Sequence, residues 1–330
     1  MAFFTGSQRL CPPVMTRLHY DTAEALVYDP VSANRMATRA VLYTLGFRKI
    51  ETVGTAKAFA EYLRKRPPDL AMCEVQGADA ELCTMIQNLR QGGEGYNPFI
   101  VIIATAWEKN AALIARVVNS GADDLLLRPF STALLGSRIE THIQRRKGFV
   151  VTTDYVGPDR RRDQTRPSNV ELFDAPNSLK MKARDRLTPE ETALRLDLEL
   201  RAAKDVLNSE KLRRDAFQAC IQWRLMQDKL PGRDSLDAEL KKIAVLVRSI
   251  AKRARDTEFD QAAGWCESIL AAVEGLELGV DRNASMHLLG HAALNLNQVF
   301  RPEASAQESL GEIDATVALI RAREAQKLAS

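Results

Sequence analysis

At 330 residues the chain is longer than one ordinary core organises, and two domains are expected. Apolar residues make up 45% and charged ones 27%, the balance of a soluble globular protein. A net charge of +3 is too small to point to nucleic acid by itself, and no stretch approaches the roughly 18 uninterrupted apolar residues of a membrane helix.

Residues 1–23 read as an N-terminal tail. Its opening, MAFFTGSQRLCPPVM, lacks the apolar core of a signal peptide. Five cysteines (Cys11, Cys73, Cys83, Cys220, Cys266) form no CxxC pair and are odd in number, the usage of reduced structural thiols. A soluble cytoplasmic protein with no membrane contact is expected.

From Ala25 to Ile143 strand-like and helix-like segments alternate. "ALVYD" is a short apolar run closed by Asp29-Pro30, the pattern of a buried parallel strand. A helix follows from Ala33 to Leu45, with Gly46 as its C-terminal cap. "KIETV" predicts a second strand, and Ala56 to Arg66 a helix stopped by Pro67-Pro68. "LAMCEV" predicts a third strand and Ala80 to Arg90 a third helix. "FIVIIATA" is the clearest strand, ending on the small pair Thr105-Ala106. Lys109 to Asn119 reads as a helix, "DDLLLRP" as a fifth strand and Ser131 to Arg146 as a last helix. Five β/α units predict a doubly wound, five-stranded parallel sheet with helices on both faces, spanning residues 24–146.

Residues 147–187 break that pattern. Scattered Gly, Pro, Ser and Asn with little periodicity predict a linker. Between Arg145 and Arg166 it carries seven basic and three acidic residues, a local surplus of four. The run "PDRRRD" has no interleaved aromatics and reads as solvated linker rather than a nucleic-acid contact.

Residues 188–330 change character to an all-α helical bundle. Apolar positions recur at heptad spacing: Leu236, Leu240, Ile243, Val247, Ile250, then Met286, Leu289, Ala293, Leu296, Phe300, then Leu310, Ile313, Val317, Ile320. Breaks are expected near Pro231-Gly232, from Gly279 to Asn283, and at Pro302. The stripes suit a bundle core, and equally a homodimer seam.

In a doubly wound sheet, ligands sit outside the carboxyl ends of the strands. Asp29, Glu74, Thr105 and Arg128 leave those ends. Arg128 is the pointed case: a cation at the end of an apolar run, fixed by Pro129, calls for an anion.

"LVYDPVSANR", "IIATA" and "GADDLLLRPF" stand in the order and on the strands of three receiver motifs, so residues 25 to 143 resemble a receiver domain of bacterial response regulators. The resemblance covers a little over a third of the chain. It implies a flavodoxin-like fold, a place in two-component phosphorelay signalling, and partners such as a histidine kinase, a phosphotransfer protein or a downstream target. The family's chemistry uses an aspartate nucleophile, two acids holding magnesium, a hydroxyl and a lysine.

Here Asp29 matches the first acid, but Pro30 stands where the second belongs. Glu74 occupies the phosphoacceptor position, Arg128 replaces the lysine and Leu125 the aromatic switch residue; Thr105 matches, with Ala106 beside it. Loss of one carboxylate weakens a magnesium site, leaving Asp29 as its residual ligand. Glutamate displaces the carboxylate by about 1 Å, enough to cost on the order of 10²-fold in a positioned reaction. Arginine offers a fork that suits a carboxylate. The expectation is therefore a pseudo-receiver, with an internal Arg128–Glu74 pair, no cofactor, and output through protein contacts. The plainer alternative leaves Glu74 and Arg128 as surface charges near a loop.

In the helical half, "SMHLLGHAALNLNQVF" loosely resembles the histidine phosphotransfer motif. Gly290 follows His287 by three residues instead of four, and the lysine is missing. His287 is then a candidate phosphotransfer histidine or a partly buried helix histidine. His287 and His291, at i and i+4, could also share a metal, though no third ligand is apparent. No Walker loop or helix-turn-helix occurs, and nothing recommends an enzyme.

Overall fold

A computed structural model describes residues 17–330 except 78, 94, 162–171, 230–235, 256 and 329–330. Most of the tail with Cys11, the Pro231-Gly232 break and the end of "PDRRRD" thus lie outside the described residues.

The chain divides into two compact units. One holds the residues up to Val150 with Tyr155–Arg201, the other Val151–Asp154 with Ala202–Ser330. The first unit alternates strand and helix through β1 (Glu24–Tyr28), α1 (Ser32–Leu45), β2 (Lys49–Val53), α2 (Ala56–Lys65), β3 (Leu70–Glu74), α3 (Asp79–Arg90), β4 (Val101–Ala106), α4 (Ala111–Ser120), β5 (Asp124–Leu127) and α5 (Thr132–Gln144). All pairings are parallel, in the order β2-β1-β3-β4-β5. This is the flavodoxin-like doubly wound sheet, as the alternation predicts.

Side chains alternate across the strands and fill two cores. Val27, Met72, Ile103 and Leu126 pack with Leu42 of α1 and with Leu135 and Ile139 of α5. Leu26, Ala71, Cys73, Ile102 and Ala104 face the other way, onto Phe59, Leu63, Leu82, Ile86 and Val117. Because both faces are covered, the strands read as continuous apolar runs.

Local chemistry sets the ends of the helices. Thr55, Asn110 and Ser131 accept hydrogen bonds from the first-turn amides of α2, α4 and α5. Gly46 (φ 114°) and Gly121 (φ 90°) close α1 and α4 in the left-handed region. Gly121 has a second constraint, since a Cβ there would lie 2.6 Å from the Val156 carbonyl and 2.9 Å from Arg90 Cγ.

The expected linker over 147–187 needs correction. Phe149–Val151 (β6) and Val156–Pro158 (β7) form a small two-stranded sheet, and Ser178–Ala183 forms helix α6. Phe149 is fully buried, edge-on to Phe99 at 5.6 Å between ring centroids. Leu179 and Ala183 join the core of α1 and α5, and Lys182 Nζ meets Asp69 Oδ2 at 2.8 Å. The basic run is engaged as well: Arg160 stacks over Tyr155 at 3.7 Å, and Arg161 pairs with Asp159. These apolar residues are too irregularly spaced to show a period, so only their tertiary partners reveal them.

The rest of the chain is helical through α7 (Pro189–Lys229), α8 (Asp237–Ala254), α9 (Ala262–Glu277), α10 (Arg282–Phe300) and α11 (Ala306–Leu328). The division into units falls within α7, at Arg201, rather than in the expected linker. Every heptad position named on α8 and α10 is buried, as are Ile313 and Val317 on α11. Leu310 is 37% exposed and Ile320 only partly buried.

Candidate functional site

Parallel register brings the named residues to one edge of the sheet. Asp29 follows β1, Glu74 ends β3 opposite Thr105 of β4, and Arg128 follows β5, its amide donating to Ala106 O at 2.7 Å. The sequence expectation of an anion facing Arg128 is met by two carboxylates. Arg128 Nε lies 3.3 Å from Glu74 Oε2, and Nη2 lies 3.4 Å from Asp29 Oδ2. The three side chains are 7%, 5% and 0% exposed, so the surface-charge alternative does not describe them. Nη2 also donates to Thr38 Oγ1 of α1 at 2.9 Å. The guanidinium sits 5.0 Å from the Phe130 ring centroid and 6.0 Å from that of Trp107. The Arg128-Pro129 peptide is cis, and Pro129 is exposed.

The carboxylates have further partners. Thr105 Oγ1 donates to Glu74 Oε2 at 3.0 Å, and the Gln76 amide donates to Oε1 at 3.0 Å. Asp29 Oδ1 accepts from the Val31 amide at 2.8 Å and from Asn34 Nδ2 at 3.4 Å. Among the described residues Asp29 Oδ2 has no hydrogen-bond partner, and it faces the Arg128 cation. Pro30, exposed, brings no side-chain ligand, and its carbonyl accepts from Arg35. Leu125 is half-buried against the α3–α4 core. Next to Glu74, the Cys73 thiol is pushed far up by burial and then by Cys83 and Glu74, so it stays protonated at neutral pH.

Sequence reasoning missed two residues of this region, Thr38 and Gln76. Thr38 is a lone threonine on a helix face, with no pattern to mark it. Gln76 Oε1 accepts from the amides of Trp107 and Glu108, at 2.7 and 3.1 Å, and pins the loop after β4. At the other end of that strand lies a buried charge network. Arg90 Nη2 meets Asp123 Oδ2 at 2.8 Å and Arg146 Nε meets Oδ1 at 2.8 Å, while the Ile102 amide also donates to Oδ2. Burial pushes the Asp123 carboxyl up, but Arg146 and Arg90 outweigh it and hold it below the usual range.

In the helical unit His287 is exposed on α10, while Gly290 is buried. The glycine does not open a face beside the histidine: a Cβ on Gly290 would fall 2.3 Å from Trp223 Cε2. It accommodates this chain's own indole. Gly290→Ala is therefore expected to destabilise the unit by about 1–3 kcal/mol through overpacking, outweighing the roughly 0.5–1 kcal/mol gained by removing a mid-helix glycine. Urea unfolding of the two proteins measures the difference. His291 lies edge-on to Trp265 at 5.7 Å, with Asn295 Nδ2 3.3 Å from its Nε2. Among the described residues, no three His, Cys, Asp or Glu side chains group to hold a metal. Among them, too, no helix is long and apolar enough to cross a membrane.

No family model and no curated protein matches the chain. Solved structures do. A signal receiver domain of a two-component histidine kinase from Clostridium thermocellum is 14% identical, aligns 37% of this chain with 98% of its own, and gives a TM-score of 0.34. A response regulator from Thermotoga maritima is 22% identical over 36% of this chain and 96% of its own, with a TM-score of 0.32. A CheY-like receiver domain protein from Methanospirillum hungatei JF-1 is 19% identical over 36% and 90%, also with a TM-score of 0.32. By its strand order, and by the motif residues gathered at the carboxyl edge of the sheet, the first unit has the receiver fold, and the chain that follows it is largely helical.

Proposed function

We propose that the receiver-fold unit is a pseudo-receiver in a two-component signalling pathway, acting by binding other signalling proteins and not as an enzyme. One observation carries the reading: the Arg128 guanidinium lies between Glu74 and Asp29, buried with both. Thr105 and Arg128 make to the Glu74 carboxylate the contacts that the family resemblance assigns to a transferred phosphoryl group. Glu74 thus stands in permanently for a modified aspartate.

The same geometry argues against a magnesium requirement. A divalent cation needs hard oxygen ligands, mostly carboxylate and water, around it. Pro30 supplies no carboxylate, Asp29 Oδ1 is used by local donors, and a cation already faces Asp29 Oδ2. An incoming phosphoryl group would meet two buried carboxylates already sharing one guanidinium.

Incubating the purified protein with acetyl phosphate and magnesium, and separately with a phosphorylated receiver or a kinase mixture, tests this by intact mass. Unchanged mass under every condition is the expected result. A base-labile phosphate adduct would place the modification on a carboxylate and end the pseudo-receiver reading. A base-stable, acid-labile adduct would implicate a histidine, His287 first. The packing of Trp223 against Gly290 argues against that active phosphorelay role.

A further inference from the structure

The helical unit holds a cleft of 530 Å³ that the receiver reading leaves unused. One wall is α7, which presents Gln218 and Gln222 one turn apart, and the other is α8, which presents Lys241 and Lys242. Thr153 and Asp154, from the connection between β6 and β7, close one side and belong to the same unit. The apolar surface is Val245, 65% exposed, with Leu246 beside it. The volume lies within the range of small-molecule sites, roughly 300–1,000 Å³, and far exceeds an inorganic ion.

A buried charge pair adjoins Thr153 of the lining. Lys211 and Asp215 pair at 3.1 Å with side chains 8% and 2% exposed, and Lys211 Nζ also donates to the Thr153 carbonyl. Asp215 precedes Gln218 and Gln222 on α7 at helical spacing, so it lies on the same side of that helix. Burial pushes the Asp215 carboxyl up against the opposing pull of Lys211 and Arg253, while Asp154 pushes it up further. The lining itself carries two cations, Lys241 and Lys242, against one acid, Asp154. Lys211 is engaged by Asp215, whereas Lys241 and Lys242 are exposed and paired with no acid among the described residues. Two adjacent uncommitted ammonium groups beside an apolar wall favour a doubly charged head on an apolar body.

We propose that this cleft binds a small organic phosphate monoester, with the phosphate on Lys241 and Lys242, the amides of Gln218 and Gln222 donating to its polar atoms, and the organic body on Val245 and Leu246. The site is independent of the receiver edge and gives the helical unit a ligand-sensing role of its own.

Titration calorimetry of the full chain with 1-naphthyl phosphate tests this, with 1-naphthol and inorganic phosphate as separate probes. Saturable binding of 1-naphthyl phosphate at one site is expected, with each partial probe weaker. K241E/K242E should weaken it roughly tenfold or more, since two attractive charges become repulsive. K252E, an equal change per residue on α8 outside the cleft, should leave affinity unchanged. Val245→Asp, at a side chain already exposed, should also abolish binding without disturbing the core. Absence of saturable binding, equal affinity in K241E/K242E, or naphthol binding as tightly as its phosphate would each overturn the proposal.

Discussion

Arg128→Ala is expected to lose about 3–5 kcal/mol of stability, the penalty for stranding buried charges once their partner is gone. Glu74 and Asp29 would remain, 5% and 0% exposed, with no cation between them. Thr38 would lose its guanidinium donor as well. Chemical denaturation of wild type and variant gives the number directly. Because the loss comes from repulsion and desolvation rather than from lost packing, removing a charge should restore part of it. The double variant R128A/E74Q should be more stable than R128A alone, which is the coupling a double-mutant cycle isolates. Arg128→Lys should fall between wild type and R128A, since an ammonium cannot span both carboxylates with a planar fork. An R128A protein as stable as wild type, with partner binding unchanged, would remove the clamp from the functional reading.

The second large effect lies at the opposite end of the sheet. Arg90→Met should cost about 3–5 kcal/mol. Its guanidinium is fully buried, donating to Gly121 O at 2.8 Å, Pro98 O at 2.5 Å, Ile100 O at 2.8 Å and Asp123 Oδ2 at 2.8 Å. Methionine fills much of the volume but takes the Arg90 donor from Gly121 O and Pro98 O, leaves Ile100 O with Arg146 alone, and leaves Asp123 paired with Arg146. The Phe149 ring would also lose one of its two guanidinium neighbours, now at 5.2 and 5.0 Å.

Acid dependence gives an independent readout of the same network. Asp123 has a depressed folded-state pKa, so its contribution is fully present above the ordinary carboxylate range and is lost as pH falls through the depressed value. Wild type should lose stability in acid below about pH 4. In Asp123→Asn that part of the acid loss should be absent, with lower stability at neutral pH. Parallel stability–pH curves for the two proteins would show that Asp123 does not carry the term.

The five strands and their helices could be read from the sequence because local rules settle them. Apolar runs of four to six residues between Asp-Pro, Pro-Pro and Gly are too short for core helices and read as buried strands, and Gly46 and Gly121 can close helices where other residues would be strained. Once the strand order is known, parallel pairing forces Asp29, Glu74, Thr105 and Arg128 to one edge. The family resemblance then sets Glu74 opposite Arg128, a contact the structure contains. The heptad positions of α8 and α10 were legible for the same reason, since a period survives without knowledge of the partner helix.

Tertiary structure decided the remainder. It made Asp29 a second anion for Arg128, and set Thr38 and Gln76 against the site, through contacts spanning tens of residues that no local pattern encodes. It turned an apparent linker into β6, β7 and α6, because Phe149 and Leu179 pack on partners far along the chain. Early in α7, leucines 194, 196, 198 and 200 alternate as in a strand, with Leu194 and Leu198 exposed, so the sequence period conceals a 41-residue helix. Sequence by itself determined the five β/α units and the heptad stripes of α8 and α10, a matter of local period and caps. Which charges end up buried together was decided only by packing, because a buried ion's energy depends on the partners the fold brings to it.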